Sequence, residues 1–194
     1  MRNARNWVFA LVAATVTANA LAGCTSTPTP PDTNPATSGS PSPASVATGT
    51  RPSANTPESA SQQAVDAYIA LQNAFSAASR MGDPSYPDLA KYGTGDALAL
   101  YTDALNASKV KGLLGRGQAI FHPRVTALSP PVAPTKVSIE DCMDTSATSQ
   151  YKANGDPYQD TPGGRRLVFA EVEFHDGTWK VFSLAVRGVG SCTG

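Results

Sequence analysis

The sequence is poor in most of the side chains that carry chemistry. Of its 194 residues 15% are charged, and 15 basic residues balance 15 acidic ones. No basic stripe appears, so the electrostatic footprint of a nucleic-acid binder is missing, as is a polybasic lipid-binding patch. No nucleic-acid partner is expected. Only two histidines occur, His122 and His175, and neither has an orienting partner near it in sequence. A nucleophile elbow, a zinc-binding helix, a Walker loop and a dinucleotide-binding GxGxxG are all missing. The nearest glycine-rich stretch, Gly112-Leu113-Leu114-Gly115-Arg116-Gly117, follows a helical segment, whereas a phosphate cradle precedes one. It is read as a helix C-cap and a turn into the first strand. Two of the three cysteines stand far from the third, with no histidines at metal-ligand spacing, so neither a metal nor a cofactor is expected.

One apolar run exists. Arg2 and Arg5 precede the uncharged segment Trp7 to Ala22, which is rich in Ala, Val and Leu. This order is that of a secretory signal, and the run is short and Ala/Thr-rich for a transmembrane helix. It closes on Leu21-Ala22-Gly23-Cys24, which resembles the lipobox of bacterial lipoproteins. The resemblance implies cleavage before Cys24 and lipidation of its sulfur. Two acyl chains give stable anchoring where one gives reversible binding. The expectation is therefore a signal peptide over 1–23 and a mature chain held on the outer face of the cell membrane by lipid at Cys24.

From Thr25 to Pro57 the chain is nearly all Thr, Ser, Pro, Ala and Gly. Such a segment buries too little apolar surface to offset its ordering entropy. Residues 24–57 are read as a disordered tether, with a mean reach of about 30–35 Å. Residues 58–194 are left as one domain of ordinary size. In an exported chain the remaining pair, Cys142 and Cys192, reads as a disulfide.

The domain begins with helices. Pro57-Glu58 opens the first, with Val65, Tyr68, Ile69, Gln72 and Phe75 along one face, and Met81-Gly82 ends it. A short helix at Leu89 to Tyr92 is expected to be capped by Asp88. A longer one spans about Asp96 to Lys109, its apolar face formed by Leu98, Tyr101, Ala104 and Leu105. The period then changes from helical to alternating. Gln118 to Leu128 is interrupted by Pro123 and so is an edge strand or a bulged one, Lys136 to Asp144 is a second strand, and a long polar loop follows. Arg165 to His175 and Thr178 to Gly188 flank Asp176-Gly177, a strong hairpin signal.

The hairpin turn sets a register in which Phe174 meets Trp179 and Val172 meets Val181. Carried on unbroken, it sets Ala170 and Val168 opposite Ser183 and Ala185, on a face covered by a helix. The other face holds Glu173 and Lys180, then Glu171 and Phe182, then Phe169 with Leu184 and Leu167 with Val186. That face is polar near the turn and apolar beyond it, the gradient of a curled sheet with a cavity at one end. Arg165, Arg166 and Arg187 cluster at one end of the hairpin, Arg166 facing Arg187 in the same register; they read as a structural ion cluster with Asp141, Asp144 or Asp160, the alternative being an anion site. If Lys136 to Asp144 pairs with Arg165 to His175, Cys142 and Cys192 lie at the same end of a meander and can be bridged. Helices preceding an antiparallel sheet give the α+β class.

This order of elements resembles the cone-shaped nuclear-transport-factor-2-like superfamily, including the SnoaL-like (cystatin-like) domains. The C-terminal half is similar to secreted actinobacterial lipoproteins of unknown role. The residues that carry this likeness are Val137-Ser138-Ile139-Glu140-Asp141-Cys142-Met143-Asp144, Pro162-Gly163-Gly164-Arg165-Arg166, and Val186-Arg187-Gly188-Val189-Gly190-Ser191-Cys192. The resemblance implies N-terminal helices packed on a curled four-stranded sheet around a pocket, and it leaves the function open. Pocket-lining candidates are Tyr68, Tyr101, Leu167, Phe169, Phe182 and Leu184. Some members of the superfamily use a buried acid as general base. The catalytic candidates here are Asp141 and Glu171. Against them stand a hydrogen-bonded acid beside the disulfide, for Asp141, and a surface acid paired diagonally with Lys180, for Glu171. The expected function is a non-catalytic accessory or binding lipoprotein, taking an envelope protein partner or a small apolar ligand. The alternative is a SnoaL-like isomerase or lyase.

Overall fold

The computed structural model describes residues 56–193. The expected signal peptide, the expected lipidation site Cys24 and nearly all of the expected tether lie outside the described residues.

Helix α1 (Pro57–Met81) opens as its sequence dictates. Pro57 fills the first position, the Thr56 hydroxyl accepts from the Ser59 N–H, and Gly82 closes the helix in the left-handed conformation. Its buried stripe is Ala60, Ala64, Ala67, Leu71, Ala74 and Ala78, with Tyr68 and Gln72 beside it. Val65, Ile69 and Phe75, expected at the centre of the face, flank that stripe and are partly buried. The reason is size: a row of alanines lets the helix axis approach its neighbours closely. Helix α2 (Pro87–Tyr92) follows. Asp88 sits inside its first turn, and no side chain caps it, so the expected Asp88 cap is corrected. Helix α3 (Gly95–Val110) buries Ala97, Tyr101 and Leu105, whereas Ala104 is exposed.

The main sheet is antiparallel, in the order β2 (Pro123–Ser129), β3 (Lys136–Asp144), β5 (Arg165–His175), β6 (Thr178–Val186). Pro123 begins the edge strand β2 and does not interrupt it, in keeping with the missing N–H of proline. Alternate residues Val137, Ile139, Asp141 and Met143 of β3 and Val168, Ala170 and Val172 of β5 are buried beneath the helices. The fold is therefore α+β, with the N-terminal helices packed on a four-stranded antiparallel sheet.

Two strands were absent from the sequence reading. β1 (Leu113–Arg116) pairs with β4 (Ser149–Lys152) in a separate two-stranded sheet. Glycine permits it: a Cβ at Gly115 would strike the Ser79 side chain of α1, and Gly117 has φ of 83° against the Ala147 carbonyl.

The hairpin register holds from His175–Thr178 to Val172–Val181 and then slips. Phe182 is an extra residue, so Glu171 faces Ser183, Ala170 faces Leu184 and Val168 faces Val186. One inserted residue exchanges the two faces of everything beyond it. Leu184 and Val186 thus turn toward the helices, and Ser183 and Ala185 turn outward, opposite to the unbroken register. Arg187 no longer faces Arg166: its N–H bonds the Leu167 carbonyl and its guanidinium lies over Phe169.

Cys142 and Cys192 form a disulfide, with Cα atoms 5.9 Å apart and a sequence separation of 50. It ties the segment after β6 to Cys142 within β3, a position still paired with Leu167 of β5. A loop of that length implies about 4 kcal/mol of stabilisation through the unfolded chain. The doubly substituted Cys142→Ser, Cys192→Ser protein is expected to lose most of that amount, read as a fall in urea midpoint at unchanged slope. An unmoved midpoint would overturn this account of the bridge.

Candidate functional site

A pocket of about 520 Å³, open to solvent, lies between α1, α3, the Met143 and Arg166 end of the main sheet and the separate β1–β4 sheet. Helical spacing supplies two walls. Gln72, Phe75, Ser76 and Ser79 recur along α1, and Leu100, Tyr101, Ala104 and Ser108 along α3. Phe75 and Tyr101 stack across the gap, ring centroids 4.3 Å apart. The sheet supplies the floor. Met143 and Arg166 are paired inward-facing positions of β3 and β5, and Val186 reaches the pocket because the Phe182 bulge turns it inward. Arg116 from β1, with Tyr158 and Asp160 from the segment after β4, forms the rim.

Beside this pocket the core holds one polar knot. Asp141 is 1% exposed, yet both carboxylate oxygens are engaged: Tyr68 Oη donates at 2.8 Å and the His122 N–H at 2.6 Å. Burial raises the Asp141 carboxyl above its ordinary value, and the His122 and Tyr68 hydrogen bonds offset part of that rise. Burial pushes the Tyr68 phenol up as well, and the Asp141 charge adds to it. The neighbouring Tyr101 phenol is also raised by burial; its Oη donates to Gln72 Oε1 at 2.6 Å. Gln72 Nε2 is buried without a hydrogen-bond partner among the described residues.

No protein-family model matches the chain, and no curated protein matches it significantly. Among solved structures, the intermembrane space region of the chloroplast protein ARC6 is 16% identical, covering 65% of this chain and 95% of its own, with a TM-score of 0.50. The putative scytalone dehydratase from Novosphingobium aromaticivorans is 14% identical, covering 63% of this chain and 82% of its own, with a TM-score of 0.45. The likeness is one of fold.

Of the residues expected to line a pocket, Tyr101 does so. Tyr68 lies in the closed core, bonded to Asp141. Phe169 and Leu184 border a shallow groove that also carries Ser138 and Glu171. Leu167 and Phe182 line neither cavity. Leu167 and Phe169 alternate with the buried Val168 and Ala170 and so stand on the outer face of β5, and the bulge changes the face of Leu184 alone among the candidates. Glu171 accepts from Ser138 Oγ at 2.8 Å. Lys180, its expected partner, instead donates to the Ala90 carbonyl. The acid that does pair with Arg165 is Asp144, at 3.6 Å. His122 is exposed and serves through its backbone N–H, and His175 pairs locally with Glu173 at 2.8 Å.

Gln72 and Arg166 are the site residues that sequence reasoning missed. A glutamine in the middle of an apolar helix face, and an arginine continuing the inward series of β5, were the available signals.

Two predictions test the knot. Tyr68→Phe removes a donor from a buried carboxylate and should cost about 1–3 kcal/mol in chemical denaturation. Asp141, with its raised value, holds its proton more tightly when folded than when unfolded. The stability this confers is complete below the unfolded value near about pH 4 and is lost as pH rises through the raised folded value. Asp141→Asn should abolish that slope, so the stability difference between wild type and variant drifts against the wild type across the same window. A difference that stays constant with pH would overturn the assignment.

Proposed function

We propose that this is an exported, lipid-anchored binding protein whose α+β domain takes a small, largely apolar molecule into the pocket between α1, α3 and the sheet. The observation that carries the reading is what the pocket wall contains. Its inner part is Phe75, Tyr101, Phe121 and Met143, and its volume falls within the range of small-molecule sites. No acid is poised there for proton abstraction. Asp141, the one buried carboxylate among the described residues, is not on the wall, and both its oxygens are occupied. Asp160 is on the wall, but its oxygens accept the Gln150 and Thr161 backbone N–H groups. Glu171 lies on the separate groove. An isomerase or lyase would need a free general base within reach of its substrate.

The lipidated end rests on the sequence: the apolar run, the Leu21-Ala22-Gly23-Cys24 motif and a Ser/Thr/Pro-rich segment after it. The Cys142–Cys192 bridge supports an oxidising compartment. Such a tether would hold the pocket some tens of ångströms from the lipid surface.

The two halves are tested separately. Cys24→Ala should move the protein from the membrane to the soluble fraction of its native host and remove the diacylglyceryl mass; retention in the membrane would overturn the anchor. The neutral fluorophore N-phenyl-1-naphthylamine should bind the purified domain with enhanced emission. Ala104→Trp, which sets an indole in the pocket mouth at an exposed helix position, should abolish that signal while leaving the far-ultraviolet spectrum unchanged. Undiminished binding in that variant would place the ligand elsewhere.

A further inference from the structure

Resting on that reading, we infer that the ligand is an amphiphile with an oxyanion head, a carboxylate or a phosphate, whose head is held by Arg166. The argument is one of unneutralised charge. Three guanidinium groups, Arg80, Arg116 and Arg166, line the pocket against a single carboxylate, Asp160, which is turned to backbone amides. None of the three has an acid within ion-pair distance among the described residues, although Arg124 pairs with Glu140 and Arg165 with Asp144.

They are not equivalent. Arg80 stands in the last turn of α1, where its charge also faces the helix carbonyl end. Arg116 Nε donates to Ser149 Oγ at 2.8 Å, and its guanidinium lies over the Tyr151 ring. Arg166 differs: it projects from an inward-facing strand position, and its Nε is buried with no hydrogen-bond partner among the described residues. A buried, unpaired guanidinium donor is costly, and the fixed fork of arginine matches an oxyanion with two parallel bonds. Met143 lies directly across the sheet from it, and the Phe75–Tyr101 stack borders the same cavity. Head and body thus have separate places in one pocket.

The test is displacement of N-phenyl-1-naphthylamine by decanoate, by decyl phosphate and by decan-1-ol, which share one apolar chain. At least one of the two anions should displace the fluorophore at a concentration tenfold or more below that of the alcohol, and added salt should shrink the gap. Whichever anion does so identifies the head. In Arg166→Gln the anion and the alcohol should converge, whereas Arg124→Gln, on the outer surface, should retain the preference. Equal displacement by all three in wild type would overturn the oxyanion head and leave the binding reading standing. No displacement by any of them, with no uptake of the fluorophore, would overturn both. A preference that survives in Arg166→Gln would overturn the role of Arg166.

Discussion

A carboxylate removed from water at the centre of the sheet constrains the packing around it. Asp141 occupies an inward position of β3 where Val137, Ile139 and Met143 are its neighbours in alternation. A charge there is tolerable only if both oxygens are satisfied, because desolvation otherwise costs several kcal/mol. Tyr68 comes from the middle of α1 and the His122 N–H from the segment entering β2, so one side chain links three parts of the chain that are distant in sequence. This fixes how far α1 slides along the sheet. The alanine row of α1 makes the approach close enough for the phenol to reach. Substitution of larger residues in that row would lift the helix and leave the carboxylate unpaired.

The same constraint divides the interior. On one side of the Tyr68–Asp141 bond the space is filled by Leu71, Leu89, Val172 and Val181, all essentially inaccessible to solvent. On the other, toward Met143 and Arg166, the filling stops and the pocket begins. The bulge at Phe182 completes that boundary. Without its extra residue, Ser183 and Ala185 would face inward in place of Leu184 and Val186, and the pocket end of β6 would lose its apolar character.

How much of this was legible follows the range of each signal. Helix ends and the Asp176-Gly177 hairpin rest on local chemistry, proline and glycine above all, and the sequence places them to within a residue or two. The Cys142–Cys192 pairing needed only cysteine arithmetic and the topology of one meander. What was not legible depends on long-range complementarity. Ser149–Lys152 is polar and short, and it becomes a strand only because Leu113–Arg116 is there to pair with it. Nothing in the residues around Phe182 announces a bulge, and its consequence is that Leu184 and Val186 face the helices in place of Ser183 and Ala185. Asp141 was legible as an anomaly, an acid in an apolar alternation, but its partners lie 73 and 19 positions away and carry no sequence mark.

That anomaly bears on how a buried polar group is interpreted. An acid within a cone-like fold invites a catalytic reading, and its raised pKa is the property a general base would have. A base must also reach its substrate, and Asp141 bonds Tyr68 and the His122 N–H within the core and does not line the pocket. Three buried donors lack acceptors among the described residues: Trp179 Nε1 away from the pocket, and Gln72 Nε2 and Arg166 Nε on residues that line it. A structure that satisfies its buried acceptor completely while leaving two buried donors beside a cavity has a deficit of one sign. The complement to that deficit is an acceptor delivered from outside, and an anion meets it better than a neutral group does.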